Sequence, residues 1–125
     1  MHKPYIQIGI LFCALSVALG AFAAHGLKQI LSTEALAVFE TGVKYQFYHA
    51  IALILTGILH NEANQFYCLR AGRLFIIGII LFCFSLYTLS LVMPDFRWIG
   101  AITPMGGVSF ILGWLVLLLS LRSKK

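Results

Sequence analysis

The chain has 125 residues, of which 61% are hydrophobic and only 10% charged. A soluble domain carries roughly half apolar and a quarter charged residues, so this composition excludes an ordinary soluble enzyme and points to a membrane protein. The net charge of +5 would suggest nucleic-acid binding in a soluble protein. Here the basic residues Lys3, Arg70, Arg73, Arg122, Lys124 and Lys125 sit at the ends of apolar runs, where they act as orientation signals and anionic headgroup contacts. No nucleic-acid partner is implied.

Residues 4–24, 74–93 and 98–121 contain no Asp, Glu, Lys or Arg, and a shorter charge-free stretch lies between Lys44 and Glu62. About 20 apolar residues suffice to cross a bilayer as a helix, so the pattern predicts an all-α bundle of four transmembrane helices in one domain over residues 1–125. Helix 1 is expected over residues 5–24. Its Ser16, Gly20 and Ala24 recur every four positions, which suits close packing of one helix on another. The apolar run is long enough to span, and it is read as a retained helix rather than a cleaved signal peptide, despite Ala21-Phe22-Ala23. Gly26 is expected to cap its C-terminus, beside Lys28.

Ser32 or Thr33 then looks like an N-cap, and residues 34–44 form a short amphipathic segment between helices 1 and 2, suited to lying at the interface or to leading directly into helix 2. Helix 2 is expected over residues 41–59. Thr41, Tyr45, His49, Ala52, Thr56 and His60 are spaced by three or four, which lines one helical face. A polar stripe on an apolar helix faces other helices or a wet cavity.

Residues 61–73 read as a polar, basic loop, and helix 3 as residues 72–93, stopped by Pro94-Asp95. Thr103-Pro104 followed by Gly106-Gly107 predicts the start of helix 4, with Thr103 as N-cap and proline in the first turn. Residues 96–101 become an interfacial connection anchored by Trp98. An even number of spans places both termini on one side, and six basic residues there against Lys28, Lys44 and Arg97 opposite favour that side as cytoplasmic.

Two constellations could carry chemistry. The first is His25, Glu40, Lys44, Tyr45, Gln46, Tyr48 and His49, in which Glu40 and Lys44 are one turn apart and suited to pair. The cluster reads either as a binding or proton-relay site or as a network that fixes how helices 1 and 2 meet. The second is Thr103, Gly106 and Gly107, where a helix start could receive an anion, or could simply be a packed cap. No catalytic residue is assigned. No cofactor or metal is implied either: His49 and His60 share a face but stand about 16 Å apart along a helix. Cys13, Cys68 and Cys83 have no metal-ligand spacing.

The stretches Leu19-Gly20-Ala21-Phe22-Ala23-Ala24-His25-Gly26-Leu27-Lys28 and Phe39-Glu40-Thr41-Gly42-Val43-Lys44-Tyr45-Gln46-Phe47-Tyr48-His49-Ala50, then Ser85-Leu86-Tyr87, Ile102-Thr103-Pro104-Met105-Gly106-Gly107 and Gly113-Trp114, resemble the YgdD-type family of small integral membrane proteins, a domain of unknown function. The resemblance implies a four-helix protein of the bacterial inner membrane and no established activity. The readings left open are a non-enzymatic protein that packs, binds lipid or assists a complex, a small oligomeric transporter or channel, and a lipid- or quinone-linked enzyme subunit. Membrane lipids, and a second copy or another membrane protein, are the expected partners.

Overall fold

A computed structural model describes residues 1–92 and 97–123. These form four long helices and, among the described residues, no strand. We label them α1 (Lys3–Ile30), α2 (Thr33–Leu59), α3 (Gln65–Val92) and α4 (Thr103–Arg122). Single π-helical turns interrupt α1 at Ala23–Leu27 and α3 at Ile79–Cys83, and a 3-10 turn, Arg97–Ala101, leads into α4.

The expectation of four transmembrane helices is not met. Among the described residues, three helices are long and apolar enough to cross a membrane: Lys3–Ile30, Gln65–Val92 and Trp98–Arg122. The 27 residues of α2 give ample length, but Glu40, Lys44, Gln46 and His49, with Tyr45 and Tyr48, dilute its apolar character. The fold remains all-α, with α2 packed among the candidate spans.

The parity argument for the termini falls with the fourth span, and packing takes its place. The backbone N–H of His2 donates to the Gly57 carbonyl at 2.7 Å, and that of Asn64 to the Ser120 carbonyl at 2.9 Å. The start of α1, the α2–α3 turn and the end of α4 therefore share one end of the bundle, which carries Lys3, Arg70, Arg73 and Arg122. Lys124 and Lys125 lie outside the described residues.

Local boundaries shift for identifiable reasons. Ser32 does cap α2: its side chain accepts from the Ala35 N–H at 3.1 Å. Residues 34–44 do not lie apart at the interface but lead directly into α2 as its first turns. Gly26 is no cap, since the π turn carries α1 through it to Ile30. The basic loop is short as well. Asn64 caps α3, accepting from the Tyr67 N–H at 3.4 Å, so residues 65–73 are helical. The predicted Pro94-Asp95 stop lies outside the described residues.

α1 runs antiparallel to α2, α2 to α3 and α3 to α4. At Gly9 of α1 an added Cβ would come within 2.8 Å of the Ala50 carbonyl, and at Gly57 of α2 within 2.7 Å of Ile6. The closest approach of these two helices thus lies at Gly9 and Gly57, where lost side chains allow backbone contact. Of the predicted small-residue face, Ser16 is buried, Gly20 meets Val43 at ordinary distance, and Ala24 is exposed. Phe39, Ala52, Phe75, Ile79, Cys83 and Phe110 form the shared core.

Candidate functional site

The first constellation divides into two groups by burial. His25, Glu40 and Lys44 are exposed, whereas Gln46 and His49 are buried. Tyr45 lies between, at 41% exposure. The predicted Glu40–Lys44 pair is not formed: neither residue has an ion-pair partner among the described residues, and His25 has no polar partner there either. The cluster is therefore not one site.

Gln46 is the polar centre of the bundle. It is fully buried, and its two ends are both used. Its amide nitrogen donates to the Phe12 carbonyl of α1 at 3.0 Å, and its oxygen accepts from the Tyr87 hydroxyl of α3 at 2.7 Å. One side chain thus ties three helices together. A buried amide left unpaired costs more than its bonds return, so a bond at each end is what makes Gln46 tolerable there.

One turn further along α2, the His49 ring stacks on Phe110 of α4, with centroids 3.5 Å apart and planes 8° off parallel. Tyr45 stacks on His49 at 5.9 Å and tilts against Phe82 at 4.8 Å. Phe75 and Trp114 complete the aromatic surround. The Nδ1 atom of His49 lies 2.7 Å from the Tyr45 carbonyl. A carbonyl only accepts, so Nδ1 carries a proton in this arrangement. Thr56, the next stripe residue, bonds back to the Ala52 carbonyl at 2.8 Å. From His49 to Thr56 the stripe is covered by neighbouring helices, while Thr41 and Tyr45 are exposed.

The second constellation also turns inward. Thr103 does not cap α4, which has no side-chain cap. Its hydroxyl lies 2.7 Å from that of Ser85 on α3. Ser85 gives its own proton to the Phe82 carbonyl at 2.8 Å, which makes Thr103 the donor. Gly106 is buried where a Cβ would run into the Phe82 backbone, while Gly107 keeps ordinary clearance from the Phe82 ring. Both features lock α4 onto α3. A cleft of about 300 Å³ opens beside them, lined by Ile80, Phe84, Ser85, Thr88, Trp98 and Ile102.

Among the described residues, no three His, Cys, Asp or Glu side chains converge on a point that could hold a metal ion. Sequence reasoning missed Tyr87, Phe110 and Phe82 as partners of the polar residues. The signal available was Ser85 and Tyr87 following the apolar run of residues 74–84.

A second cluster lies at the basic end. The His2 ring packs 4.3 Å from Tyr5 and 5.2 Å from His60, and its Nδ1 is buried with no partner. Burial, then the nearby His60 and the terminal ammonium, hold His2 below its ordinary pKa. The His60 ring in turn meets the Asn61 side-chain oxygen at 3.1 Å.

The family described as "Protein of unknown function (DUF423)" matches residues 19–107. The chain belongs to this family. It is 42% identical over 118 residues to the UPF0382 membrane protein SH2409 of Staphylococcus haemolyticus, covering 94% of each chain. It is 40% identical over 119 residues to the UPF0382 membrane protein YwdK of Bacillus subtilis, covering 94% of this chain and 95% of that protein. To the UPF0382 membrane protein of Haemophilus influenzae it is 40% identical over 117 residues, at 94% and 92% coverage. No solved structure matches. The protein is thus a membrane protein of a family whose function is unknown. The matched stretch contains Glu40, Lys44, Gln46, His49 and Thr103, and excludes His2.

Proposed function

We propose that this protein is a non-enzymatic binding protein of the bacterial cytoplasmic membrane, working through the outward face of α2. The observation that carries this reading is the unpaired polar surface of Glu40, Lys44 and Tyr48, all exposed on a helix packed among candidate spans. Lys44 lies near the level of Gly20 on α1 and Cys83 on α3, because its neighbours Val43 and Gly42 meet those residues. Both levels fall within candidate spans. Ionisable groups at such depth are costly unless something pairs with them, and lipid headgroups or a membrane-protein partner supply that pairing.

The buried bridge at Gln46 then has a supporting role: it fixes the rotation of α2, and so holds Glu40 and Lys44 outward. A conduit along the α2 stripe draws no support from the packing, since His49 and Thr56 are enclosed by other helices. The likeness to YgdD-type proteins agrees with this reading and adds no activity. We take the end carrying Lys3, Arg70, Arg73 and Arg122 to be cytoplasmic, which places both termini there.

Native mass spectrometry from nanodiscs of bacterial lipid composition tests the proposal. A reproducible bound mass, reduced in the Glu40→Ala/Lys44→Ala variant, is expected. Identical spectra for both proteins, with only random lipid, would overturn it.

A further inference from the structure

His49 is all but enclosed, at 6% exposure, yet one of its two ring nitrogens is unaccounted for. Nδ1 meets the Tyr45 carbonyl, whereas Nε2 has no hydrogen-bond partner among the described residues. Among those residues the side-chain polar atom that is both sealed and unpaired is His2 Nδ1. Nε2 of His49 is therefore not sealed. Its surroundings show where it opens. α2 and α4 each pack on α3, and rings from both helices meet over α3: Tyr45 and His49 of α2, Phe110 and Trp114 of α4. A Cβ at Gly78 of α3 would run into the Phe110 ring, so this layer lies directly on the α3 backbone. Phe75 and Phe110 are covered, while Tyr45 and Trp114 remain 41% and 44% exposed. The layer has a closed floor and an open edge, and Nε2 is reached from that edge.

We propose that the α2–α4 seam binds a membrane-soluble phenolic compound, its ring against Tyr45 and Trp114 and its hydroxyl paired with His49 Nε2. Depth is the first reason. Phe110 and Trp114 sit near the middle of α4, and Phe75 within α3, both candidate spans. A polar atom facing hydrocarbon without a partner is costly, so a polar group carried within the membrane belongs there. The lining gives the class of ligand. One hydrogen-bonding atom among rings suits a ligand with a polar group on an apolar body. The partly exposed rings of Tyr45 and Trp114 offer edge and face contacts to another flat ring. A hydroxyl both donates and accepts, so it pairs with Nε2 whether or not that nitrogen carries a proton. An acyl chain would leave Nε2 unpaired, and a phosphate headgroup stays at the interface, above this depth. The site is separate from Glu40 and Lys44, so its loss would leave the role of the outward face untouched.

Nitrogen NMR of the wild-type protein, isotope-labelled at histidine and held in nanodiscs, reads Nε2 directly. The His49 signal is the one lost in His49→Phe, or, if that variant does not fold, the one that receives magnetisation from the Phe110 and Trp114 rings. The probe is para-decylphenol, with para-decylanisole as the control that cannot donate and decanol as the control without a ring. The phenol should shift the Nε2 signal and saturate, and the anisole should leave it in place. Decanol should need about tenfold more, and Trp114→Leu should weaken phenol binding about fivefold, through the lost ring contact. A signal that the phenol leaves in place, a shift that does not saturate, or an equal response to either control would overturn the proposal. So would an Nε2 that exchanges with water and ignores the phenol, because water alone would then fill the opening.

Discussion

Removing the Gln46–Tyr87 bond should loosen the bundle by a measurable and specific amount. Tyr87→Phe deletes one hydroxyl and leaves the Gln46 oxygen unpaired in a fully buried position. Gln46→Leu keeps much of the volume but leaves the Tyr87 hydroxyl without its acceptor. The Phe12 carbonyl is less affected, because Ser16 also donates to it at 2.8 Å. Interhelical hydrogen bonds in membrane proteins couple by about 0.6 kcal/mol on average and at most about 1.7. An orphaned buried group adds its desolvation penalty, so each single variant should lose about 1–3 kcal/mol. The double variant should lose less than the sum, with a coupling near 1 kcal/mol, since the bond can be lost only once. Denaturant titration of the protein in mild detergent, followed by circular dichroism, gives all four corners of this cycle. Additive losses within about 0.3 kcal/mol would show that the two side chains do not share a bond, and the bridge would be refuted.

Other consequences follow from the same geometry. Gly106→Ala should destabilise the α3–α4 contact by about 1–3 kcal/mol because its Cβ meets the Phe82 backbone, whereas Gly107→Ala should change stability by less than about 0.5 kcal/mol; melting temperatures of the pair check the contrast. Gly72→Ala should be similarly harmful, since the Tyr5 ring covers Gly72 while its hydroxyl holds the Leu69 carbonyl at 2.7 Å. His2 is held below its unfolded pKa of about 6.5, so the unfolded chain binds the extra proton first. Stability from this group is complete above that value and falls as pH drops through it toward the folded pKa. Melting temperature should decline between pH 7 and pH 5, and His2→Gln should flatten part of that decline; a steeper decline in His2→Gln would contradict the assignment.

The sequence carried the class of fold but misjudged α2. Charge-free runs marked α1, α3 and α4, and Ser32 announced the start of α2, because these signals are local. The α2 stripe was legible only in part. At about 100° per residue all six stripe residues fall within roughly 100° of one another, so the spacing does place them on one face, and which of them are covered is decided by where the neighbouring helices lie. His49, Ala52 and Thr56 are buried, while Thr41 and Tyr45 turn outward. Tertiary pairing explains the rest. Nothing local to Gln46 says that its partners are Phe12 and Tyr87, 34 and 41 residues away. Thr103 carried a cap signal, yet its hydroxyl is taken by Ser85 across the helix contact. The π turn at Ala23–Leu27 let α1 run through Gly26, a continuation that glycine disfavours but does not forbid.

Site-specific photo-cross-linking in living cells tests the outward face of α2 most directly. A photoreactive residue at position 44 or 48 should form strong, discrete adducts with protein or lipid, and one at position 111 or 118 of α4 should give only a diffuse lipid background. Indistinguishable adducts from the two helices would contradict the account, because α2 would then present no more of a working surface than any lipid-facing helix.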